Sequence, residues 1–141
     1  MIIYYDENGN IISKSEKKLF NKPFIEVDFL PEKWYNYKVK DGSLVLDEEL
    51  QKQNEIEEVE ILKQKFSKMV TNYIKEVLNY FDYDDLADLL YCKNVKIYQE
   101  EANALSEWVD SVYETYEEIL KGIEPQDDVK EFIELLPKFK G

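Results

Sequence analysis

At 141 residues and 44% apolar content, the chain has material for one domain with a true core, or a small module plus a helical extension. Its 31 Asp and Glu face 18 Lys, with no Arg and no His, for a formal net charge of −13. These absences remove the imidazole general base, the His metal ligand, the arginine finger and the bidentate phosphate fork. Cys92, the single cysteine, builds neither a disulfide framework nor a thiolate metal cluster. The composition therefore predicts a protein that is not an enzyme and uses no cofactor.

The charge is unevenly placed. Residues 1–46 balance seven Lys with seven acids, whereas residues 47–141 carry 11 Lys against 24 acids and so hold all of the net charge. Such a surface repels nucleic acid phosphates and anionic membranes, so neither is an expected partner. It attracts a basic protein or simply keeps helices in solution. No basic leader with an apolar run is evident at the start, and no stretch reaches the ~20 apolar residues of a membrane span. The expectation is an intracellular protein, with its one thiol in a reducing compartment.

In chain order, residues 1–46 read as a β-rich module of about four short antiparallel strands. Residues 1–5 are β-branched and aromatic, Asn8-Gly9 supplies a hairpin turn, and residues 11–14 return. Residues 24–30 alternate, with Ile25, Val27 and Phe29 on one face, until Pro31. Residues 34–40 alternate again, placing Tyr35, Tyr37 and Val39 opposite Trp34, Asn36, Lys38 and Lys40. Asp41-Gly42 is a second turn, and residues 43–46 close the sheet.

Residues 47–141 read as an acidic helical module. Residues 47–81 lack Gly and Pro and open on acids suited to a helix N-terminus. Val59, Leu62, Phe66, Met69, Tyr73, Val77 and Tyr80 recur at three and four, a helical stripe along a rod of about 50 Å. The polar first turns are expected to project as a stalk or to pair with a second copy. A short helix over 84–91 follows, with Asp82, Asp84 and Asp85 in its turn and cap. A second long helix over 96–121 carries Tyr98, Ala102, Leu105, Val109, Val112, Tyr116 and Ile119 in a strict heptad. Gly122 offers a C-cap, and a terminal helix over 127–136 stops at Pro137. Two long striped helices joined by a connector of about a dozen residues fold back as an antiparallel hairpin, or else self-associate as a parallel homo-oligomeric coil. The predicted class is α+β.

The densest carboxylate cluster, Asp82, Asp84, Asp85 and Asp88, lacks the glycine of a calcium loop and reads as a helix cap. The paired glutamates along the helices read as solvated faces, and Cys92, after Leu89-Leu90-Tyr91, as a small buried residue. Trp34, Tyr35 and Tyr37 are the candidate partner-binding residues, because large rings on both faces of one strand leave one face for a partner. Ala102, Leu105, Trp108, Val109 and Val112 are the candidate helix-seam residues. Ala102 permits close approach, and Trp108 closes the seam from a flank.

Residues 83–139 resemble a module of tailed-phage tail and tail-fibre-associated proteins, including fibre assembly proteins. The resemblance lies in Tyr83…Leu86…Leu89-Leu90, then Tyr98-x-x-Glu101-Ala102-x-x-Leu105-x-x-Trp108-x-Asp110-x-Val112, ending at Ile119-Leu120. It continues in Pro125…Val129…Phe132-Ile133-x-Leu135-Leu136-Pro137. Val109 stands where that family usually places an Arg. The resemblance implies a non-enzymatic, chaperone-like role in assembly or attachment of a tail fibre, with a tail component as partner. It also implies a place in the host cytoplasm during assembly or in the virion tail. A rival expectation, from the charge, is an acidic inhibitor that blocks the basic groove of a nucleic-acid enzyme.

Overall fold

The computed structural model describes residues 1–18 and 21–140. The fold is α+β, with short antiparallel strands followed by helices. Two compact units divide the chain at Glu57/Glu58, inside the first long helix. Among the described residues no helix is long and apolar enough to cross a membrane.

In the first unit, β1 (Ile2–Tyr5) lies between β2 (Ile11–Ser15) and β3 (Phe24–Glu26), antiparallel to both. A separate hairpin pairs β4 (Tyr37–Lys40) with β5 (Ser43–Leu46). Among the described residues the expected single sheet of about four strands is thus five strands in two sheets. Ile3, Ile25 and Val39 form the shared core, with Ile11, Val27 and Leu44 packed on it. At the β4–β5 turn, Asp41 and Gly42 both take positive φ, 52° and 79°, as a two-residue hairpin of right-handed twist requires.

Two strand expectations fail for local reasons. Trp34–Asn36 is a 3-10 turn, not strand, because Asn36 turns inward. The Asn36 side chain is 3% exposed and accepts from Asn54 Nδ2 at 2.8 Å, while its carbonyl accepts the Asp47 N–H at 2.9 Å. An inward polar group with partners on the following helix overrides alternation. The run 24–30 stops pairing after Glu26, where Met1 and Val27 exchange the last hydrogen bonds, leaving Phe29 80% exposed.

Helix α1 spans Glu48–Tyr80. Asp47 caps it, accepting the Leu50 N–H at 2.9 Å, and that bond, with Lys38 at 3.2 Å, holds its carboxyl below the usual range. Its first turns do not stand free: Asn54 is bonded to Tyr35 and Asn36 of the same unit. In the second unit the fully buried line on α1 is Phe66, Val70, Ile74 and Leu78, four residues apart. Val59, Leu62, Met69, Tyr73 and Val77 flank that line half-buried, and Tyr80, expected on the stripe, is 81% exposed. The shift has a cause: Phe66 packs on both Tyr116 (5.2 Å) and Phe132 (5.6 Å), so α1 buries a broader face than a single neighbour requires.

The end of α1 is a Schellman turn. Asp82 is left-handed (φ 66°), the Tyr83 N–H reaches Leu78 O at 2.9 Å, and the Asp82 N–H reaches Asn79 O at 3.0 Å. Helix α2 (Leu86–Cys92) follows, capped by Asp85, which accepts the Asp88 N–H at 2.8 Å; Asp88 in turn accepts the Asp84 N–H at 2.9 Å. Helix α3 (Gln99–Leu120) starts later than expected, because residues 94–98 are tied by successive short-range turn bonds. It ends on a right-handed cap at Lys121, so the positive-φ freedom of Gly122 is not used. Helix α4 is only Val129–Ile133, after which bonds spanning three residues tighten the chain as far as Leu136.

Helices α1 and α3 run antiparallel. Phe66 meets Tyr116, Tyr73 meets Trp108 at 5.7 Å, and Tyr83 meets Glu101, so positions rise on one helix as they fall on the other. The fold-back hairpin, rather than a parallel coil, buries the seam within one chain.

Candidate functional site

Three places collect the residues singled out by the sequence, together with some that it missed. The first is a hollow of about 240 Å³ in the β module, lined by Ile11, Trp34, Tyr35, Tyr37 and Leu50. The candidate partner-binding residues do come together, though by a different geometry. Because Trp34 and Tyr35 lie on the 3-10 turn, their rings meet edge to face at 6.0 Å instead of pointing to opposite sides. Tyr37 follows on β4 and lines the same hollow. The Lys14 ammonium sits 4.7 Å from the Trp34 ring centre, so a cation already covers part of that ring.

The second is the seam. Ala102, Leu105, Trp108, Val109 and Val112 are all buried and belong to one cluster with the α1 line. Val109 is 3% exposed, where an arginine would have to bury its charge. Trp108 does more than close a flank. Its Nε1–H donates to Pro137 O at 2.8 Å, and the Tyr73 hydroxyl donates to the same oxygen at 3.0 Å. Phe139 then packs on Trp108 and Phe81, at 6.0 and 5.1 Å. Two donors on one carbonyl thus pin the chain after α4 to the helix hairpin.

The third was not foreseen. A cavity of about 520 Å³ opens where α1 ends, with Tyr80, Phe81, Asp82, Asp88, Tyr98 and Glu101 on its walls. Tyr80 and Tyr98, both expected in seams, are 81% and 49% exposed and line this notch instead. Cys92, expected to be buried, is half-buried at the same notch. Burial, with the Asp88 carboxylate 3.9 Å from its Sγ, pushes its thiol pKa up and so away from reactivity. Within the Asp82–Asp88 stretch, Asp85 and Asp88 each accept a backbone N–H at the start of α2, and no metal-holding group of three or more His, Cys, Asp or Glu occurs among the described residues.

Beneath the notch, Tyr83 is 4% exposed and donates to Glu101 Oε1 at 2.9 Å. Burial, reinforced by Glu101, pushes its phenol up to about 12. A raised folded pKa means that Tyr83 contributes its full share of stability below the unfolded value of about 10. That share disappears as pH climbs through about 12. In a tyrosinate absorbance titration an ionisation step near pH 12 is expected to belong to Tyr83 and to vanish in Tyr83→Phe, while Tyr73, also raised by burial, keeps its own late step. A wild-type-minus-Tyr83→Phe difference curve with its midpoint near the ordinary phenol value of about 10 would contradict this assignment.

Comparison of the chain with known protein families, curated proteins and solved structures gives no match.

Proposed function

We propose that this chain is a non-enzymatic protein that acts by protein–protein contact in the assembly or attachment of a phage tail fibre. The observation that carries the reading is the junction at Pro137. The two stretches that resemble tail-fibre-associated proteins, one around Trp108 and one ending in Leu136-Pro137, are joined by the Trp108–Pro137 hydrogen bond. A Trp followed by a distant Leu-Pro is then one structural device in this chain, which supports reading the two stretches together. The aromatic hollow at Trp34, Tyr35 and Tyr37 supports the same reading, since rings in a shallow recess suit recognition of another polypeptide.

The test is affinity purification of the tagged chain from cells in which the encoding phage or prophage is induced, with bound proteins identified by mass spectrometry. A tail-fibre polypeptide should be retained at about 0.5 M salt, because apolar contacts survive screening that removes ionic ones. A Trp34→Ala, Tyr37→Ala double variant should lose it. Recovery instead of a basic nucleic-acid enzyme, released by the same salt, would replace this reading with that of a groove-blocking inhibitor.

A further inference from the structure

We propose that the notch at the end of α1 receives the cationic side chain, arginine or lysine, of a partner protein segment. Its occupant is fixed by two kinds of wall. Tyr80, Phe81 and Tyr98 present aromatic rings, Tyr80 and Phe81 edge to face at 5.1 Å. Asp82, Asp88 and Glu101 bring three carboxylates to the same cavity. Rings beside carboxylates hold a cation from two sides, through the π face and through charge-assisted hydrogen bonds.

The chain does not satisfy those charges itself. Lys38–Asp47, Lys63–Glu60 and Lys121–Glu118 form ion pairs elsewhere, and among the described residues no lysine pairs with Asp82, Asp88 or Glu101. The carboxylates are also held in place. Glu101 is fixed by the buried Tyr83 hydroxyl and Asp88 by the Asp84 N–H, and each carboxylate keeps acceptor sites beyond the bond that fixes it. The C-terminal end of α1 adds partial negative charge, while the start of α3 beside Glu101 opposes it, so the full carboxylate charges dominate. A neutral ligand would leave them unmatched, and an anionic one would be repelled. The cavity, at about 520 Å³, is roomy for one such side chain with its flanking backbone. The proposal does not depend on the tail-fibre reading, because it concerns the chemistry of the ligand and not the identity of its carrier.

The test is an amide NMR titration of the intact protein with the capped tripeptide acetyl-Gly-Arg-Gly-amide, and with the same peptide carrying neutral citrulline in place of arginine. Shifts should concentrate at residues 80–83, 88–92 and 98–101 for the arginine peptide and be absent for citrulline. Glu101→Gln preserves an acceptor for Tyr83, and Tyr80→Ala removes an exposed ring, so both variants should fold. Each should weaken binding roughly fivefold to tenfold, whereas Glu117→Gln, on an exposed face elsewhere, should leave it unchanged. Equal binding of the citrulline peptide, wild-type affinity in Glu101→Gln, or shifts spread over the acidic surface would each overturn the proposal.

Discussion

Trp108→Ala is expected to lower the stability of the helical unit by about 3–5 kcal/mol, the cost of deleting a large buried aromatic side chain. The residue is 6% exposed and packs on Tyr73 and Phe139, so its removal opens a void that neighbouring rings fill only in part. Trp108→Phe is the milder change. It keeps a ring but removes the Nε1–H that reaches Pro137 and part of the indole volume, which should cost about 1–3 kcal/mol. The smaller figure follows because Tyr73 still donates to the same carbonyl, so no buried acceptor is orphaned. Urea denaturation followed by circular dichroism measures both. Released from its anchor, the segment after Pro137 should also be cut faster by trypsin at Lys138 in Trp108→Ala. If Trp108→Ala and Trp108→Phe proved equally mild, Pro137 would not be pinned through this ring.

Much of this arrangement was legible in the residues, and the failures have separate physical causes. The α3 stripe could be read because Ala102, Leu105, Val109 and Val112 keep the three-four spacing of a helix seam and are all buried in one cluster. The α1 line was misplaced because Phe66 touches two neighbours, and no periodicity reveals how many partners a helix has. Asn36 broke the strand over 34–40 through a bond to Asn54, 18 residues away, a partner that alternation does not record. Trp34, Tyr35 and Tyr37 were the right residues for a shared surface, reached by the wrong conformation. The Pro137 clamp was hidden because its acceptor is a backbone carbonyl, and every residue has one. The notch was missed because its walls come from three stretches, and because Tyr80 and Tyr98 sit on seam positions by count but beyond the last packed rung.

In the β module the most sensitive position is a glycine. Gly9→Ala should destabilise this unit by about 2–4 kcal/mol, from backbone strain together with a lost hydrogen bond. Gly9 has φ +80°, a region costly for alanine, and an added Cβ would run into the carbonyl oxygen of Val39. That carbonyl is part of a paired strand, since Val39 lies opposite Leu44, so it cannot swing aside as a flexible side chain would. Relief requires the turn to leave β4, which breaks the 2.8 Å bond from the Val39 N–H to Gly9 O. Gly42→Ala supplies the control. Gly42 has nearly the same φ, +79°, but nothing lies within 4 Å of its would-be Cβ. Its cost should therefore be only the conformational share, about 1–2 kcal/mol, and the difference between the variants measures the Gly9–Val39 approach. Amide exchange at Val39 and Tyr5 should accelerate strongly in Gly9→Ala, while the buried α3 amides of Leu105 and Val112 keep their protection. Equal stabilities for the two variants would mean that the first hairpin turn does not rest on β4.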